Sequence, residues 1–86
     1  MKLWLLCPVE DLQDGGNPWK PPYGKAYGFV VRAETEGEAR VAADAEAGAE
    51  NWYGDHPWKD ARHSSCVELR AEGEPGVVMQ DLRDAG

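Results

Sequence analysis

Apolar and polar positions change rhythm several times along this chain, and each change marks an element. Residues Lys2 to Val9 hold a nearly unbroken apolar run, Leu3-Trp4-Leu5-Leu6-Cys7, closed by Pro8. In an extended chain Leu3, Leu5 and Cys7 point one way, and Trp4 and Leu6 the other. Both faces are apolar, which predicts a strand that is central or covered on both sides. Pro8 has no N–H to donate, so pairing is expected to fail there. A second strand is predicted over Ala26 to Ala33, where Tyr27, Phe29 and Val31 alternate with Gly28, Val30 and Arg32.

The rhythm then becomes helical. Thr35 is followed three residues later by Glu38, a capping box, and Glu34, Glu36 and Glu38 sit at the positive end of the helix dipole. The helix is expected to run from Glu36 to Ala49. At about 100° per residue Val41, Ala42, Ala45, Ala49 and Trp52 share one face, predicted to be buried. Glu36, Arg40, Asp44, Ala47 and Glu50 share the opposite face. Gly48 weakens the last turn by about 1 kcal/mol relative to alanine.

Ser65 to Ala71 reads as a third strand with Val67 and Leu69 inward and Glu68 and Arg70 outward. Glu72-Gly73-Glu74-Pro75-Gly76 is a turn by composition, and Val77 to Leu82 reads as a fourth strand hairpinned to the third. The expected fold is therefore α+β: a four-stranded, mostly antiparallel sheet in β-β-α-β-β order, with one helix packed on a face. The second and third strands could pair in parallel across the helical connection.

Two segments fall outside these rhythms. Residues 10–25, rich in Gly, Pro and Asp, and the irregular segment 51–64 carry Trp19, Tyr23, Trp52, Tyr53 and Trp58. Pro-Trp-Lys occurs at 18–20 and again at 57–59. These aromatics either pack on one another as a satellite core or serve as exposed anchors, in which case Trp19, Tyr23 and Trp58 are the partner-binding candidates.

Length and charge narrow the function. At 86 residues the chain makes a single domain, 1–86, burying about 60–65% of its unfolded surface, with little room for a deep cavity. Sixteen acidic residues against nine basic ones leave a net charge of −7. That balance opposes direct binding to nucleic acid or anionic membrane and favours a partner with a basic surface. From Glu34 to Glu50 there are six acidic residues and one basic one, Arg40. Glu36, Asp44, Glu46 and Glu50 are the carboxylates expected to meet such a partner, in the way that DNA phosphates would.

No chemical motif competes with this reading. His56, His63, Cys66 and Cys7 match no common zinc spacing, and Asp55, His56, Asp60 and His63 form no visible nucleophile–base arrangement. No enzyme activity, cofactor or metal is expected. Two cysteines make no disulfide framework, and the N-terminal apolar run is too short for a leader or a membrane span of about 20 residues. A cytoplasmic protein of a bacterial cell, monomeric or weakly dimeric, is the expectation.

The runs Lys2-Leu3-Trp4-Leu5-Leu6, Asn17-Pro18-Trp19, Tyr27-Gly28-Phe29-Val30-Val31-Arg32-Ala33 and Ser65-Cys66-Val67-Glu68-Leu69 resemble small proteins of bacterial and prophage genomes. In size, acidity and lack of catalytic motifs the chain is also similar to phage-borne anti-CRISPR proteins directed at type I systems. That resemblance implies a non-enzymatic inhibitor that binds the Cascade complex or its nuclease, by DNA mimicry if the carboxylates form the interface. The alternative is a bacterial protein–protein interaction module working through its aromatic loops.

Overall fold

A computed structural model describes residues 1–9, 18–19, 24–51 and 54–81. The apolar N-terminal run forms β1 (Lys2–Pro8), followed by β2 (Phe29–Ala33), α1 (Glu36–Ala45) and β3 (Ser64–Leu69), with 3-10 turns at Ala49–Asn51 and Pro57–Lys59. The sheet has three strands in the order β2-β1-β3, both pairs antiparallel. The doubly apolar β1 is thus central, as its pattern predicts. Pairing does not fail at Pro8: Pro8 pairs with Ser64, and Val9 N still donates to His63 O at 2.8 Å beyond it.

Two expectations about the sheet need correction. β2 and β3 run in the same direction but are not neighbours, because β1 lies between them. No strand forms among residues 77–81, the described part of the expected fourth strand. Gly73 turns the chain at φ 142°, and Met79 and Asp81 come to lie beside Leu5 and residues 27–30. A strand needs a ladder, and none of the sheet strands pairs with this segment. Val77 and Val78 are left 81% and 71% exposed.

The register sorts the side chains. Leu6 pairs with Phe29 and Cys66, and Trp4 with Val31 and Glu68, all toward the helix. The core there contains Leu6, Trp19, Ala33, Ala39, Ala43 and Trp58. Alternation places Leu3, Leu5, Cys7, Val30, Arg32, Ser65, Val67 and Leu69 on the other side of the sheet. Val67 therefore points outward, 58% exposed, where the sequence pattern had it inward.

The helix starts where the capping box predicts. Thr35 Oγ1 accepts from Glu38 N at 3.2 Å, and Glu38 reaches back to Glu34 N at 3.3 Å. It stops four residues early, at Ala45, and it buries Ala39, Arg40 and Ala43. Val41, expected in the core, is 57% exposed. The early stop lets the chain turn so that Ala49 N donates to Gly24 O at 2.8 Å. Gly48 sits at this crossing, where a Cβ would lie 1.8 Å from Gly24 O. Backbone must shift to admit any side chain, so Gly48→Ala is expected to destabilise the fold by about 1–3 kcal/mol. Urea unfolding measures this; equal midpoints for the two proteins would contradict the contact.

Candidate functional site

The two Pro-Trp-Lys loops meet inside the molecule. Trp19 and Trp58 pack edge to face at 4.9 Å between centroids, and Trp58 packs likewise on Phe29 at 4.8 Å. Trp58 is fully buried and Trp19 is 4% exposed. Trp19 Nε1 donates to His63 O at 3.0 Å, and Trp58 Nε1 to Glu50 Oε2 at 2.6 Å. These two tryptophans are core residues, so the exposed-anchor expectation is corrected for both. Tyr23, the third aromatic candidate, lies outside the described residues, as do Trp52 and Tyr53.

The acidic candidates divide in a similar way. Glu50 is 2% exposed. Its oxygens accept from Ala26 N, Gly48 N and Trp58 Nε1, so it organises the interior and cannot face a partner. Glu36 is half exposed but accepts from Arg40 Nε at 2.9 Å. Asp44 is mostly enclosed: it lies 2.9 Å from His56 Nδ1, accepts from Asn51 Nδ2 at 3.0 Å and has Lys59 Nζ at 3.8 Å. Glu46 is exposed at the C-terminal end of α1. The expected row of four free carboxylates is thus reduced to one exposed residue and three that are buried or paired with the chain's own groups.

Arg40 is the residue the sequence reading missed. Its guanidinium enters the interior, donating to Trp58 O at 3.1 Å, Ser64 Oγ at 2.8 Å and Ser64 O at 3.2 Å. Ser64 Oγ donates onward to Pro57 O at 2.8 Å. This network ties α1, the 57–59 turn and β3 together. Its signal in the sequence was the single cation among six acids, which was read as surface charge.

The ionisable groups do not converge on a reaction centre among the described residues. His56 pairs with Asp44 and His63 with Asp60 at 3.4 Å. Cys7 and Cys66 lie on opposite faces of the sheet. Burial pushes both thiols above their ordinary value, aided at Cys7 by Asp81. Among the described residues no group of three or more His, Cys, Asp or Glu could hold a metal ion.

Asp60 is held well below the usual carboxylate range by hydrogen bonds from Arg62. At Asp44 partial burial acts upward, but hydrogen bonds from His56 and Asn51 and the His56 and Lys59 charges outweigh it and lower the pKa. A carboxylate lowered on folding stabilises fully above its unfolded value and loses that contribution as pH falls through the folded one. The stability lost in Asp44→Asn should therefore shrink as pH falls below about 4. Thermal unfolding across pH reads this; a gap that widened below about pH 4 would contradict it.

What remains at the surface is the outer side of the sheet. Leu5 at its centre pairs with Val30 on one side and Val67 on the other, and Leu3 pairs with Leu69. Val30 is 60% exposed, Val67 58% and Leu3 39%. A hollow of about 240 Å³ opens beside Leu5, lined by Tyr27, Phe29, Val30, Met79 and Asp81. It is smaller than the roughly 300–1,000 Å³ of small-molecule sites.

Comparison with family models, curated proteins and solved structures finds no match to this chain. Among the described residues no helix is long and apolar enough to cross a membrane.

Proposed function

We propose that this chain is a non-enzymatic protein-binding domain that recognises its partner through the outer apolar face of the sheet. The observation that carries this reading is the Val30–Leu5–Val67 row on the side away from the helix, in which both valines are exposed around a half-buried Leu5. An antiparallel sheet with one face in water ordinarily alternates apolar-in with polar-out. Here the outer positions are mostly aliphatic, which is the composition of a surface that is covered in use.

The resemblance to anti-CRISPR proteins makes a type I CRISPR effector the first partner to test. The mode differs from the one the acidity suggested. Glu36, Asp44 and Glu50 are engaged within the chain, so a phosphate-like row along the helix is not what we propose. The charge of −7 still suits a basic partner and disfavours nucleic acid itself.

Capture of the chain by purified type I effector should be weakened at least about tenfold by Val30→Asp or Val67→Asp, as for a central apolar contact. It should change less between low and high salt, because apolar contact is not screened. Equal capture of both variants would contradict the proposed surface. No capture of the wild-type chain would remove the effector as partner.

A further inference from the structure

One hydrogen bond at the end of the sheet sets the direction of the backbone groups along all three strands. Val9 N donates to His63 O, one step beyond the Pro8–Ser64 pair. In an antiparallel ladder, pairs that exchange hydrogen bonds alternate with pairs that do not. Cys7–Ser65, Leu5–Val67 and Leu3–Leu69 are therefore the bonded pairs between β1 and β3. Lys2, Trp4 and Leu6 then turn their backbone groups to β2, where they meet Ala33, Val31 and Phe29. The position of Leu6 O agrees, since a Cβ on Gly28 would lie 3.3 Å from it. Within β2 the alternate residues, Val30 and Arg32, are left with N–H and C=O directed away from the sheet.

These groups form an open edge. Among the described residues neither Val30 nor Arg32 has a hydrogen bond or ion pair outside the ladder to β1. The β3 edge is not equivalent. There Ser64 O accepts from Arg40 Nη2 and Ser64 N donates to Asp60 O, while Glu68 is held between Lys2 and Arg70. Arg32 is an exposed cation without such a partner, and its side chain lies on the same side of the sheet as Val30.

We propose that the β2 edge takes up an extended segment of a partner protein as an added strand, with an aliphatic residue beside Val30 and a carboxylate beside Arg32. The outward backbone groups call for a strand, which supplies matching donors and acceptors at the same spacing. The guanidinium selects a carboxylate as its cross-strand neighbour. A second copy of this chain is a poorer occupant: β2 carries no acid between Phe29 and Ala33, and two bodies of charge −7 repel. The inference goes beyond the outer face, with which the edge shares only Val30, because the added strand is held through backbone groups.

Amide hydrogen exchange of the full chain, read residue by residue by NMR, tests this in two steps. Without a partner, the Val30 and Arg32 amides should exchange at least about tenfold faster than those of Phe29 and Val31. The probe is then a short, end-capped peptide in which a glutamate and a valine stand two positions apart, so that both fall on one side of the added strand. At roughly millimolar concentration it should slow exchange at Val30 and Arg32 about threefold or more and leave Val31 unchanged. Methylating the peptide nitrogens of that glutamate and valine should abolish the protection. In Arg32→Glu a peptide with lysine in place of the glutamate should bind about threefold better than the original, reversing the wild-type order. Equal protection of Val30, Arg32 and their neighbours in the free chain would mean that the edge is already closed, and overturns the proposal. So does a peptide that leaves the Val30 and Arg32 amides unprotected. If that peptide instead shifts the resonances of Leu3 and Val67, the edge fails while the outer face stands as the binding surface.

Discussion

Replacing Arg40 with methionine should destabilise the domain by about 3 kcal/mol or more. Methionine fills a similar length of the interior but donates nothing. The carbonyls of Trp58 and Ser64 and the hydroxyl of Ser64 would each lose a charged donor, and a buried polar group stripped of its partner costs about 1–3 kcal/mol. Glu36 is half exposed and would regain water, so the loss falls on the acceptors and not on an orphaned carboxylate. Arg40→Lys should recover part of the loss only, since an ammonium cannot reproduce the planar fork that reaches two residues at once. For a domain with a total stability of about 5–15 kcal/mol this is a large fraction. Urea unfolding of the three proteins is the measurement. A methionine variant within about 1 kcal/mol of wild type would show that the network is dispensable.

Glu50→Gln should be nearly as damaging, and for a sharper reason. Both Glu50 oxygens receive donors: Oε1 from Gly48 N at 3.0 Å and Ala26 N at 3.2 Å, Oε2 from Trp58 Nε1 at 2.6 Å. An amide of the same shape must turn its NH₂ toward one of these groups, so one buried donor meets another. The expected loss is about 2 kcal/mol or more, together with a shift in the fluorescence of Trp58, whose indole nitrogen loses its acceptor. A glutamine variant as stable as wild type would mean that these donors find other partners. The carboxylate does local structural work: it joins Trp58 in the core, the turn after α1 and the chain entering β2.

These two residues mark where the sequence could be read and where it could not. The strand β1, its central place and the Thr35–Glu38 helix start were legible because each rests on local chemistry: a run apolar on both faces and a capping box. The helix face was misread because Arg40 and Glu50 were sorted by polarity. Each is buried with its hydrogen bonds met from residues 8 to 24 positions away, apart from the local Gly48 N and Glu36 contacts. Such partners leave no periodic trace. Residues 77–81 have the composition of a strand but no ladder partner among the strands, and pairing is decided by the rest of the sheet.

The aromatic loops were readable as a choice between satellite core and exposed anchors. The Trp19–Trp58 contact settles it in favour of the core for those two residues. The outer face was half visible. A β1 run apolar on both sides predicted a strand that is central or covered on both sides, and among the described elements the helix packs on one side only.

Binding of a neutral apolar dye, Nile red, to the folded protein tests most directly whether that second side of the sheet is open to an apolar partner. Saturable fluorescence enhancement is expected for the wild-type chain. It should be lost in the Val30→Asp, Val67→Asp double variant and kept in Glu46→Lys, which alters an exposed acidic position at the C-terminal cap of α1. No enhancement by the native protein, or enhancement indifferent to the two valines, would contradict the account.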